Sequence, residues 1–368
     1  MRNLVVFGPG AAGSVPRISL EGAGVPCALM ETAVPDFDPA APENAAHVLV
    51  RKRGFSVNYR DRALILSVVL RAPAGSFYPI GSDFVGEVVA MGPGARGLAP
   101  GDRVIGNAAY PDSGVPGVRA GVPVNSASKE LQVFHAAKLA KIPAAMTDEV
   151  AACFTIGAQT SFSMVRKLEL AAGEHVLVTA GGSNTSLFAL AALRRLPIKA
   201  YVTTTSPSRV EKLRAMGGAE VLLIDRERPD FIAHPAVRRL LEERGGFDAV
   251  IDPFFDIHLA PASAVMRQGA RYVTCGMYDQ HSRLGVGQAA RPMQGASQIM
   301  TRAMLMNHRI IGNCIGLAGD LDAAVAAHAA GEFPVLIDSV FRGEDAAAFL
   351  ERSYNDPERF GKVAFLYT

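Results

Sequence analysis

The sequence predicts an α/β protein in which an irregular β region is followed by a doubly wound parallel sheet. Strand and turn signals dominate the first third of the 368-residue chain. From about residue 146, apolar strands alternate with helical stretches, which is the pattern of a parallel sheet with helices on both faces. These strands are nearly continuous apolar runs, as expected where both faces of a sheet are covered.

The first third contains short strands separated by glycine and proline. Residues 47–57 and 84–92 are rich in β-branched and apolar side chains and are predicted to be strands. A polar, proline-rich loop is expected at 35–46, and residues 92–106 read as a hairpin-like turn that leads into a β-branched run. Residues 128–143 contain a strand-like run that is ended by a proline. No long stretch with helical periodicity is expected before about residue 146.

The second part alternates helices and strands in a regular order. The first predicted helix lies within 148–168. The last predicted strand of the sheet lies near 308–316 and is followed by a helix at 320–333. The remaining tail is predicted to add a helix and a terminal strand. The sequence shows no internal repeat. The predicted strands between these limits are 175–180, 199–205, 220–225, 247–255 and 270–276, and the predicted helices are 186–196, 207–217, 234–245 and 260–269.

Composition places the chain among folded proteins and argues against two classes of partner. Hydrophobic residues make up 49% of the sequence, which is enough for a sizeable core. The net charge of +2 gives no electrostatic reason to expect nucleic acid or an anionic membrane surface. No apolar run approaches the ~20 residues of a membrane span, and the N-terminal apolar stretch is too short for a signal peptide. The cysteines form no C-x-x-C pair, so neither a zinc site nor a redox-active dithiol is indicated. We therefore expect a cytoplasmic protein with reduced thiols that acts on a small molecule.

The stretch HVLVTAGGSNTSLFALAALRRLPIKAYVTTTS, residues 175–206, decides whether a dinucleotide is expected. It has the strand–turn–helix–strand order of a dinucleotide-binding unit, but the turn lacks the usual G-x-G-x-x-G. Gly181 and Gly182 can still make the turn and let a phosphate approach the backbone. The short polar residues that follow can cap the helix or contact phosphate, because free N–H groups and the helix dipole favour an anion there. They are Ser183, Asn184, Thr185 and Ser186. The alternative is that they only cap a helix in a domain that binds nothing.

Five segments in a fixed order extend the argument over nearly the whole chain. They are VNYRD (57–61), PIGSDFVGEVVAMGPGARGLAPGDRVIG (79–106), AACFTIGAQTSF (151–162), the unit at 175–206 and GKVAFLY (361–367). Together they resemble the medium-chain dehydrogenase/reductase superfamily, and within it the zinc-independent quinone oxidoreductase and enoyl reductase branch. The resemblance implies a GroES-like catalytic domain at 1–145, to which 320–368 return, and a Rossmann domain at 146–319. It also implies an active cleft between the domains, NADPH as the cofactor and a homodimer formed through the Rossmann edge strand.

The positions that hold catalytic zinc in other members of this superfamily carry residues of a different kind here. By the resemblance they are Asn58, Ser82-Asp83 and Ile156. A catalytic zinc needs three converging N, S or O ligands, and Asp83 alone cannot hold it. Because alcohol oxidation needs a Lewis acid to stabilise the alkoxide, we expect no metal and a conjugated C=C bond as substrate.

Four residues are catalytic candidates. The resemblance places Asn58 near the nicotinamide ribose and the substrate, although an asparagine here can also stabilise a turn. Asp61 is expected to fix its loop through backbone N–H groups. Tyr59 can donate a proton to an enolate or simply pack. Enoyl reductases often carry a tyrosine several residues later, where this chain has RALILSVVL, so Tyr78 is the candidate replacement.

Further cofactor-binding candidates come from both domains. The resemblance places Thr160 near the nicotinamide carboxamide and Lys362 in the cleft, and Gly276 follows a strand at the sheet edge where ligands lie. An ordinary helix hydroxyl, a solvated lysine and a turn glycine are the alternatives. The second strand of the unit ends without an acidic residue and is followed by Ser206 and Arg209, which favours the 2′-phosphate of NADPH over NADH.

The predicted function is NADPH-dependent reduction of an activated C=C bond in an enone, a quinone or an enoyl thioester. The loop 107–129 is expected to form part of the pocket wall. The alternative is a catalytically silent nucleotide-binding sensor or interaction protein on the same fold, which the altered glycine turn and the missing tyrosine favour. NADPH consumption over a panel of enones and acyl thioesters distinguishes the two.

Overall fold

Three β-sheets organise the chain. The structure is a computed structural model that describes residues 1–10, 15–225, 229–281, 295–343 and 345–367. A four-stranded and a seven-stranded sheet contain the N-terminal and C-terminal strands, and a six-stranded sheet is formed by the residues between them. This arrangement confirms the predicted α/β class, with an irregular β domain and a doubly wound domain.

The strands and helices of the described residues have the following bounds. The strands are β1 Arg2–Phe7, β2 Arg17–Leu20, β3 Ala23–Glu31, β4 His47–Ser56, β5 Phe77–Pro79, β6 Asp83–Met91, β7 Arg103–Gly106, β8 Leu131–His135, β9 Leu139–Lys141, β10 His175–Val178, β11 Lys199–Thr204, β12 Glu220–Leu223, β13 Phe247–Asp252, β14 Met266–Thr274, β15 Arg309–Gly312, β16 Ile337–Phe341 and β17 Lys362–Leu366. The helices are α1 Tyr59–Arg71, α2 Asp148–Ala151, α3 Thr155–Leu168, α4 Asn184–Leu193, α5 Val210–Ala215, α6 Pro235–Arg244, α7 Phe255–Ala264, α8 Ala296–Met306, α9 Ala318–Ala329 and α10 Ala346–Tyr354. None of these helices is long and apolar enough to cross a membrane.

The C-terminal strands return to the N-terminal part of the chain. The seven-stranded sheet has the order β16-β17-β4-β6-β7-β9, with β8 also paired to β4. Strand β17 runs antiparallel to β4, and Phe365 lies opposite Phe55. Extending this register by three residues places Lys362 opposite Asn58, just beyond the end of β4. The last strand therefore delivers a lysine to the start of α1.

The six-stranded sheet is parallel and has the order β12-β11-β10-β13-β14-β15. This is the strand order of a doubly wound dinucleotide-binding domain. The order reverses between β10 and β13, so the chain leaves these two strands toward opposite sides. A crevice opens at their carboxyl ends, which is where ligands bind in such sheets.

A shared apolar cluster joins the two domains. Phe333 is fully buried, and its ring lies 5.9 Å from Phe154, 5.0 Å from Phe162 and 5.9 Å from Phe188, measured between ring centroids. Val85 of β6 belongs to the same cluster. The two domains therefore share a close-packed aromatic contact behind the crevice.

The expectation that no long helix precedes about residue 146 is wrong, because α1 has 13 residues. Its start is stabilised by Asp61, whose carboxylate accepts a hydrogen bond from the backbone N–H of Asn58 at 2.8 Å. Asp61, Ile65 and Leu66 form its buried face. The helical periodicity of this face cannot be recognised in the run ILSVVL, because a short apolar run fits a strand as well as a helix.

The boundary between α7 and β14 also differs from the prediction. Residues 266–269 were expected to be helical but lie in β14, which begins two residues after the end of α7. Neither glycine nor proline marks this boundary. The first glycine, Gly269, lies inside the strand with a φ of 73°. It therefore marks an irregularity of the strand and not the end of a helix.

Candidate functional site

A cleft of about 1790 Å³ lies between the two domains. Its lining includes the turns after β10, β11, β13 and β14 on one wall, and the start of α1 with loop 117–125 on the other. Drug-sized ligands occupy roughly 300–1,000 Å³, so this cleft has room for a dinucleotide and a second molecule. The predicted site residues that line it are Asn58, Tyr59, Thr160, Gly181, Gly182, Ser183, Asn184, Thr185, Arg209 and Gly276. Asp61, Tyr78, Ser206 and Lys362 are not among its lining residues.

A buried ion pair lies behind the wall formed by α1. The Lys362 ammonium pairs with Asp83 at 3.4 Å and donates to Asn58 Oδ1 at 2.9 Å and to the Val57 carbonyl at 3.1 Å. Both charged side chains are at most 2% exposed. The other oxygen of Asp83 accepts the backbone N–H of Ile156 at 2.9 Å. Lys362 is thus not a cleft residue, contrary to the expectation, because all three of its donors are used inside the protein.

Asn58 lies on the cleft wall, but its side-chain amide faces inward. Its Nδ2 donates to Asp83 Oδ2 at 2.8 Å and to Ser82 Oγ at 3.1 Å. The amide orientation is dictated by charge, since the carboxylate of Asp83 requires the NH₂ group and the ammonium of Lys362 requires the oxygen. Both N–H groups are therefore committed, and Asn58 holds the start of α1 in place of donating to a ligand.

Asp61 completes this network from inside α1. Its Oδ2 accepts the Ser82 hydroxyl at 2.6 Å as well as the Asn58 backbone N–H. Burial raises the pKa of Asp61, although Arg60 and Ser82 act in the opposite direction. The residue is 1% exposed and does not line the cleft, and its hydrogen bonds stabilise the start of α1.

The positions compared with zinc ligands meet in this same network. Asn58 and Ser82 contribute neutral side chains, Ile156 contributes a backbone N–H, and Asp83 contributes the only carboxylate of the four. Within the described parts of the chain, no group of three or more His, Cys, Asp or Glu side chains is placed to hold a metal ion. The ionic partner of Asp83 is Lys362.

Tyr59 connects the two walls of the cleft. Its hydroxyl donates to the Tyr278 carbonyl at 2.7 Å, and its ring lies 5.3 Å from that of Phe254. The Arg62 guanidinium lies 5.4 Å from the centre of the same ring. Burial raises the pKa of Tyr59, so the hydroxyl keeps its proton at neutral pH.

The structure does not bring Tyr78 to the cleft. It lies opposite Val6 in β5, at the edge of the four-stranded sheet, and is 40% exposed. It lines a separate pocket of about 450 Å³, together with Asp61 and Asn125. The apparent insertion that suggested Tyr78 as a proton donor forms the edge strand β5, and none of the three residues of this strand lines the cleft.

The glycine turn after β10 packs tightly against β11. The backbone N–H groups of Gly181 and Ala180 donate to the carbonyl and the hydroxyl of Thr203, at 2.8 and 3.0 Å. A β-carbon at Gly181 would lie 2.6 Å from Val202 Cγ1, so this position requires glycine. A β-carbon at Gly182 would instead collide with the Arg209 guanidinium, which shows that Gly182 faces the cleft.

The start of α4 offers free backbone donors to the cleft. Ser183 caps the helix by accepting the Ser186 N–H at 3.2 Å. The N–H groups of Gly182, Asn184 and Thr185 donate no hydrogen bond to any described residue. Free amides at a helix start favour an anion such as phosphate.

Two arginines flank these amides. Arg359 donates to Asn184 Oδ1 at 3.0 Å, and Arg209 donates to the carbonyls of Pro357 and Arg359 at 2.5 and 3.1 Å. Burial lowers the pKa of Arg359, and the like charge of Arg209 adds to this effect. Two cations and a helix start therefore converge on one part of the cleft, a donor set that fits the phosphates of a dinucleotide. Ser206 pairs with Ser208 at 2.9 Å outside it.

Sequence reasoning missed the three cleft residues of the C-terminal tail, which are Ser353, Tyr354 and Arg359. Arg359 and Tyr354 both line the cleft, and the Tyr354 hydroxyl donates to the Asn58 carbonyl at 3.2 Å. A return of the tail to the cleft was expected from GKVAFLY, but only Lys362 was assigned a role. The arginine three residues earlier was the available signal, because an anionic cofactor calls for cations near its phosphates.

Comparison with known proteins identifies the family. Residues 44–144 match the alcohol dehydrogenase GroES-like domain family. The whole chain has the fold of an NAD-dependent alcohol dehydrogenase, with a TM-score of 0.76, 21% identity and coverage of 100% of this chain and 99% of that one. Residues 44–144 therefore belong to the GroES-like domain family of the alcohol dehydrogenases, and the whole chain shares the fold of these enzymes. A crotonyl-CoA carboxylase/reductase, AntE, whose structure contains NADP, matches with a TM-score of 0.75, 17% identity and coverage of 100% and 94%.

The curated relatives of this chain differ widely in length. Acryloyl-coenzyme A reductase of Metallosphaera sedula is 24% identical over 349 residues, which cover 90% of this chain and 94% of that protein. Polyketide synthase GfsB of Streptomyces halstedii is 30% identical over 254 residues, which cover 68% of this chain and 4% of that protein. Two further synthases are matched over 11% and 8% of their lengths.

The buried ion pair predicts a specific pattern of stability losses. Lys362→Met leaves the Asp83 carboxylate buried without its cation and is expected to lower the free energy of unfolding by about 3–5 kcal/mol. Asp83→Asn should cost a similar amount. The double variant should be less destabilised than the two single losses added together, because no charge is then left unpaired.

Urea denaturation of the four proteins measures this coupling. Lys141→Met is the control, since Lys141 pairs with Asp102 at 2.6 Å on the surface and its side chain is 60% exposed. It should cost no more than about 1 kcal/mol. Additive losses for Lys362 and Asp83 would show that the two side chains do not stabilise each other.

Proposed function

We propose that this chain is an NADPH-dependent, zinc-independent reductase of an activated C=C bond. The proposal rests on one observation. Arg209 and Arg359 lie beside the start of α4 inside a cleft that has room for a second ligand. The relatives support the same reading, since one is named acryloyl-coenzyme A reductase and one structural neighbour contains NADP. Cofactor choice, metal independence and bond type are part of the proposal.

The cofactor would be held mainly by the wall of the parallel sheet. Gly182 and the amides of Asn184 and Thr185 would face the pyrophosphate, and Arg359, which donates to Asn184, would offset its charge. When bound, NADPH supplies a hydride for the β-carbon of a conjugated double bond. Thr160 and Gly276 line the same cleft and are proposed to contact the nicotinamide end.

The preference for NADPH rests on the end of β11. Thr204 ends this strand, and no acidic side chain follows it before Arg209. A carboxylate there would bind the ribose 2′-hydroxyl of NAD and repel a 2′-phosphate. Arg209 can meet a phosphate with two parallel N–H groups, which a lysine cannot do.

On the substrate side, the protein must hold the oxygen that becomes negative as the double bond is reduced. Hydrogen-bond donors aimed at such an oxygen commonly provide the largest contribution to catalysis. Tyr59 is the proposed donor, because its hydroxyl lines the cleft and stays protonated. It would exchange its bond to the Tyr278 carbonyl for one to the substrate.

Zinc independence is proposed from the donor chemistry behind Asn58. Both oxygens of Asp83 already accept hydrogen bonds, and Lys362 supplies the positive charge that faces this carboxylate. The Asn58 amide and the Ser82 hydroxyl are weak zinc ligands compared with thiolate, imidazole or carboxylate. A divalent ion would have to displace the lysine.

A catalytically silent nucleotide-binding protein is the second candidate. It is favoured by the same hydrogen bonds, because the donors of Asn58 and the proton of Tyr59 are already engaged within the protein. Such a chain would bind the cofactor and turn nothing over.

The proposed function predicts NADPH oxidation in the presence of an activated alkene. Purified protein should oxidise NADPH with at least one member of a panel of enones, quinones and enoyl thioesters. The reaction is measured as the decrease in NADPH absorbance. Prior dialysis against a chelator should leave the rate unchanged, and metal analysis should find no stoichiometric zinc. Tight NADPH binding with no turnover on any substrate would support the silent alternative, and a rate lost on chelation and restored by zinc would contradict the metal assignment.

The cofactor preference gives a second test, on Arg209. The unmodified protein should bind NADPH more tightly than NADH. Arg209→Ala should weaken NADPH binding by about tenfold or more and change NADH binding little, because a hydrogen bond to a charged group contributes about 1.5–3 kcal/mol.

Lys212→Ala provides the control for Arg209→Ala in binding titrations with both cofactors. Lys212 lies in the next turn and places its ammonium 5.4 Å from the ring of Phe360. Equal losses for NADPH and NADH in Arg209→Ala would assign this arginine to the pyrophosphate, which both cofactors share, and would refute the 2′-phosphate assignment.

We further propose a homodimer through the Rossmann edge strand β15. Ile310 of this strand is 42% exposed, and Met300, Met304 and Leu305 of α8 are 63%, 70% and 67% exposed. Light scattering should give twice the chain mass, and Ile310→Lys combined with Met304→Lys should give the monomer. Leu223→Lys is the control, because Leu223 is 46% exposed on the opposite edge strand β12. A monomeric parent protein would contradict the proposal.

A further inference from the structure

The cleft continues beyond the region assigned to the cofactor and the reacting bond. It follows loop 117–125 and reaches the outer ends of β4 and β8. Four basic or titratable side chains line it there, and we call them the basic end: His47, Arg119, His135 and Lys138. The proposed reduction of a double bond uses none of them.

Two of these side chains form a cross-strand pair. His47 of β4 lies opposite His135 of β8, with ring centroids 5.4 Å apart and the rings nearly perpendicular. His135 Nδ1 accepts the backbone N–H of Ala137 at 3.2 Å. The Nδ1 atom of His47 is buried and has no hydrogen-bond partner within the described residues.

Lys138 brings a buried positive charge to the same place. Its residue is 9% exposed, and its ammonium donates to the carbonyls of Arg119 and Gly121 at 3.0 and 2.5 Å. An ammonium has three N–H groups, so a third donor remains. Burial lowers the pKa of Lys138, and no carboxylate among the described residues counteracts it.

The acidic residues of the cleft are located elsewhere. Glu21 forms ion pairs with Arg62 and His281. Asp256 accepts the backbone N–H groups of Tyr278 and Asp279. The remaining two lining carboxylates, Asp225 and Asp279, follow β12 and β14 in the parallel sheet. The positive charge of the basic end is carried by Arg119 and Lys138, both of which line the cleft.

The basic end lies within a bounded distance of the proposed reaction site. Gly121, which accepts from Lys138, is four residues from Asn125, and a chain of four residues spans at most about 14 Å. The Asn125 side chain accepts from Arg60 at 2.9 Å, and Arg60 is two residues from Asn58. A ligand with an extended arm can thus reach from the Asn58 wall to Lys138 along a lined groove.

We propose that the basic end binds the phosphate of a pantetheine thioester whose acyl group is reduced near Tyr59. The inference rests on the proposed reductase function and selects one of its substrate classes. Simple enones and quinones have no anion at a distance from the reacting bond. Coenzyme A thioesters and acyl groups on the phosphopantetheine arm of a carrier protein both have a phosphate ester beyond the pantetheine. Binding of either needs cations at the far end of an elongated cleft.

The test compares ligands that differ at the phosphate. Calorimetric titrations with crotonyl-CoA, crotonyl-phosphopantetheine and crotonyl-pantetheine are carried out with NADP⁺ present, so that no reduction occurs and binding is measured without turnover. The two phosphorylated ligands should bind at least about tenfold more tightly than crotonyl-pantetheine. Arg119→Glu should remove most of this difference, since Arg119 is exposed and its charge can be reversed without disturbing the core.

Arg96→Glu is the matched control, because Arg96 is an exposed arginine of the same domain outside the cleft. It should preserve the difference between phosphorylated and unphosphorylated ligands. Equal affinities of crotonyl-phosphopantetheine and crotonyl-CoA would assign the site to the phosphate that carrier-bound and free thioesters share. Tighter binding of crotonyl-CoA would assign it to the phosphates beyond that one.

Two results would overturn the inference. One is equal binding of crotonyl-pantetheine and crotonyl-CoA, and the other is an Arg119→Glu protein that behaves like Arg96→Glu. Reduction of a simple enone by NADPH, measured separately, tests the underlying function. Enone reduction without phosphate dependence would reject the basic end as a phosphate site and leave the reductase function standing. Phosphate-dependent binding with no reduction of any alkene would uphold the site and reject the reductase function.

Discussion

The pairing of Lys362 with Asp83 and Asn58 is the interaction on which the cleft depends. It joins residues that are 279 and 304 positions apart in the chain, and it brings together the last strand, strand β6 and the start of α1. Ile156 attaches the start of α3 to the same carboxylate. Strands β17 and β6 and the starts of α1 and α3 are therefore connected through one buried charge pair, and separating β17 from β6 would leave each charge without its partner.

This arrangement explains why the wall residues serve as supports. Buried charges must be fully hydrogen-bonded, and the network uses the amide of Asn58, the hydroxyl of Ser82 and the backbone of Ile156 for that purpose. A side chain that fixes the geometry in this way is not free to follow a substrate. The groups that can change partners are those that face the cleft from its rim, such as the Tyr59 hydroxyl on the Tyr278 carbonyl.

The sequence predicted the features that depend on local pattern and missed those that depend on contacts across the chain. The parallel sheet could be predicted because its strands are continuous apolar runs. The turn could be predicted from its glycines, and the structure shows why Gly181 is required, since a β-carbon there would collide with Val202. Helix α1 was missed because its apolar run has no unique period. The buried position of Lys362 was not foreseen and Arg359 was overlooked, since their partners Asn58 and Asn184 lie 304 and 175 positions away in the chain.

Charge is the property for which composition was least informative. A net charge of +2 argues against nucleic acid as a partner, yet it conceals how the charges are placed. Arg209 and Arg359 stand at one part of the cleft, and Arg119 and Lys138 stand at another. The carboxylates that balance them are held by other cations and by backbone amides, as Glu21 and Asp256 are. Attraction between charges falls with distance and is strongest where water is excluded, so a nearly neutral chain can still place cations at two separate parts of one cleft.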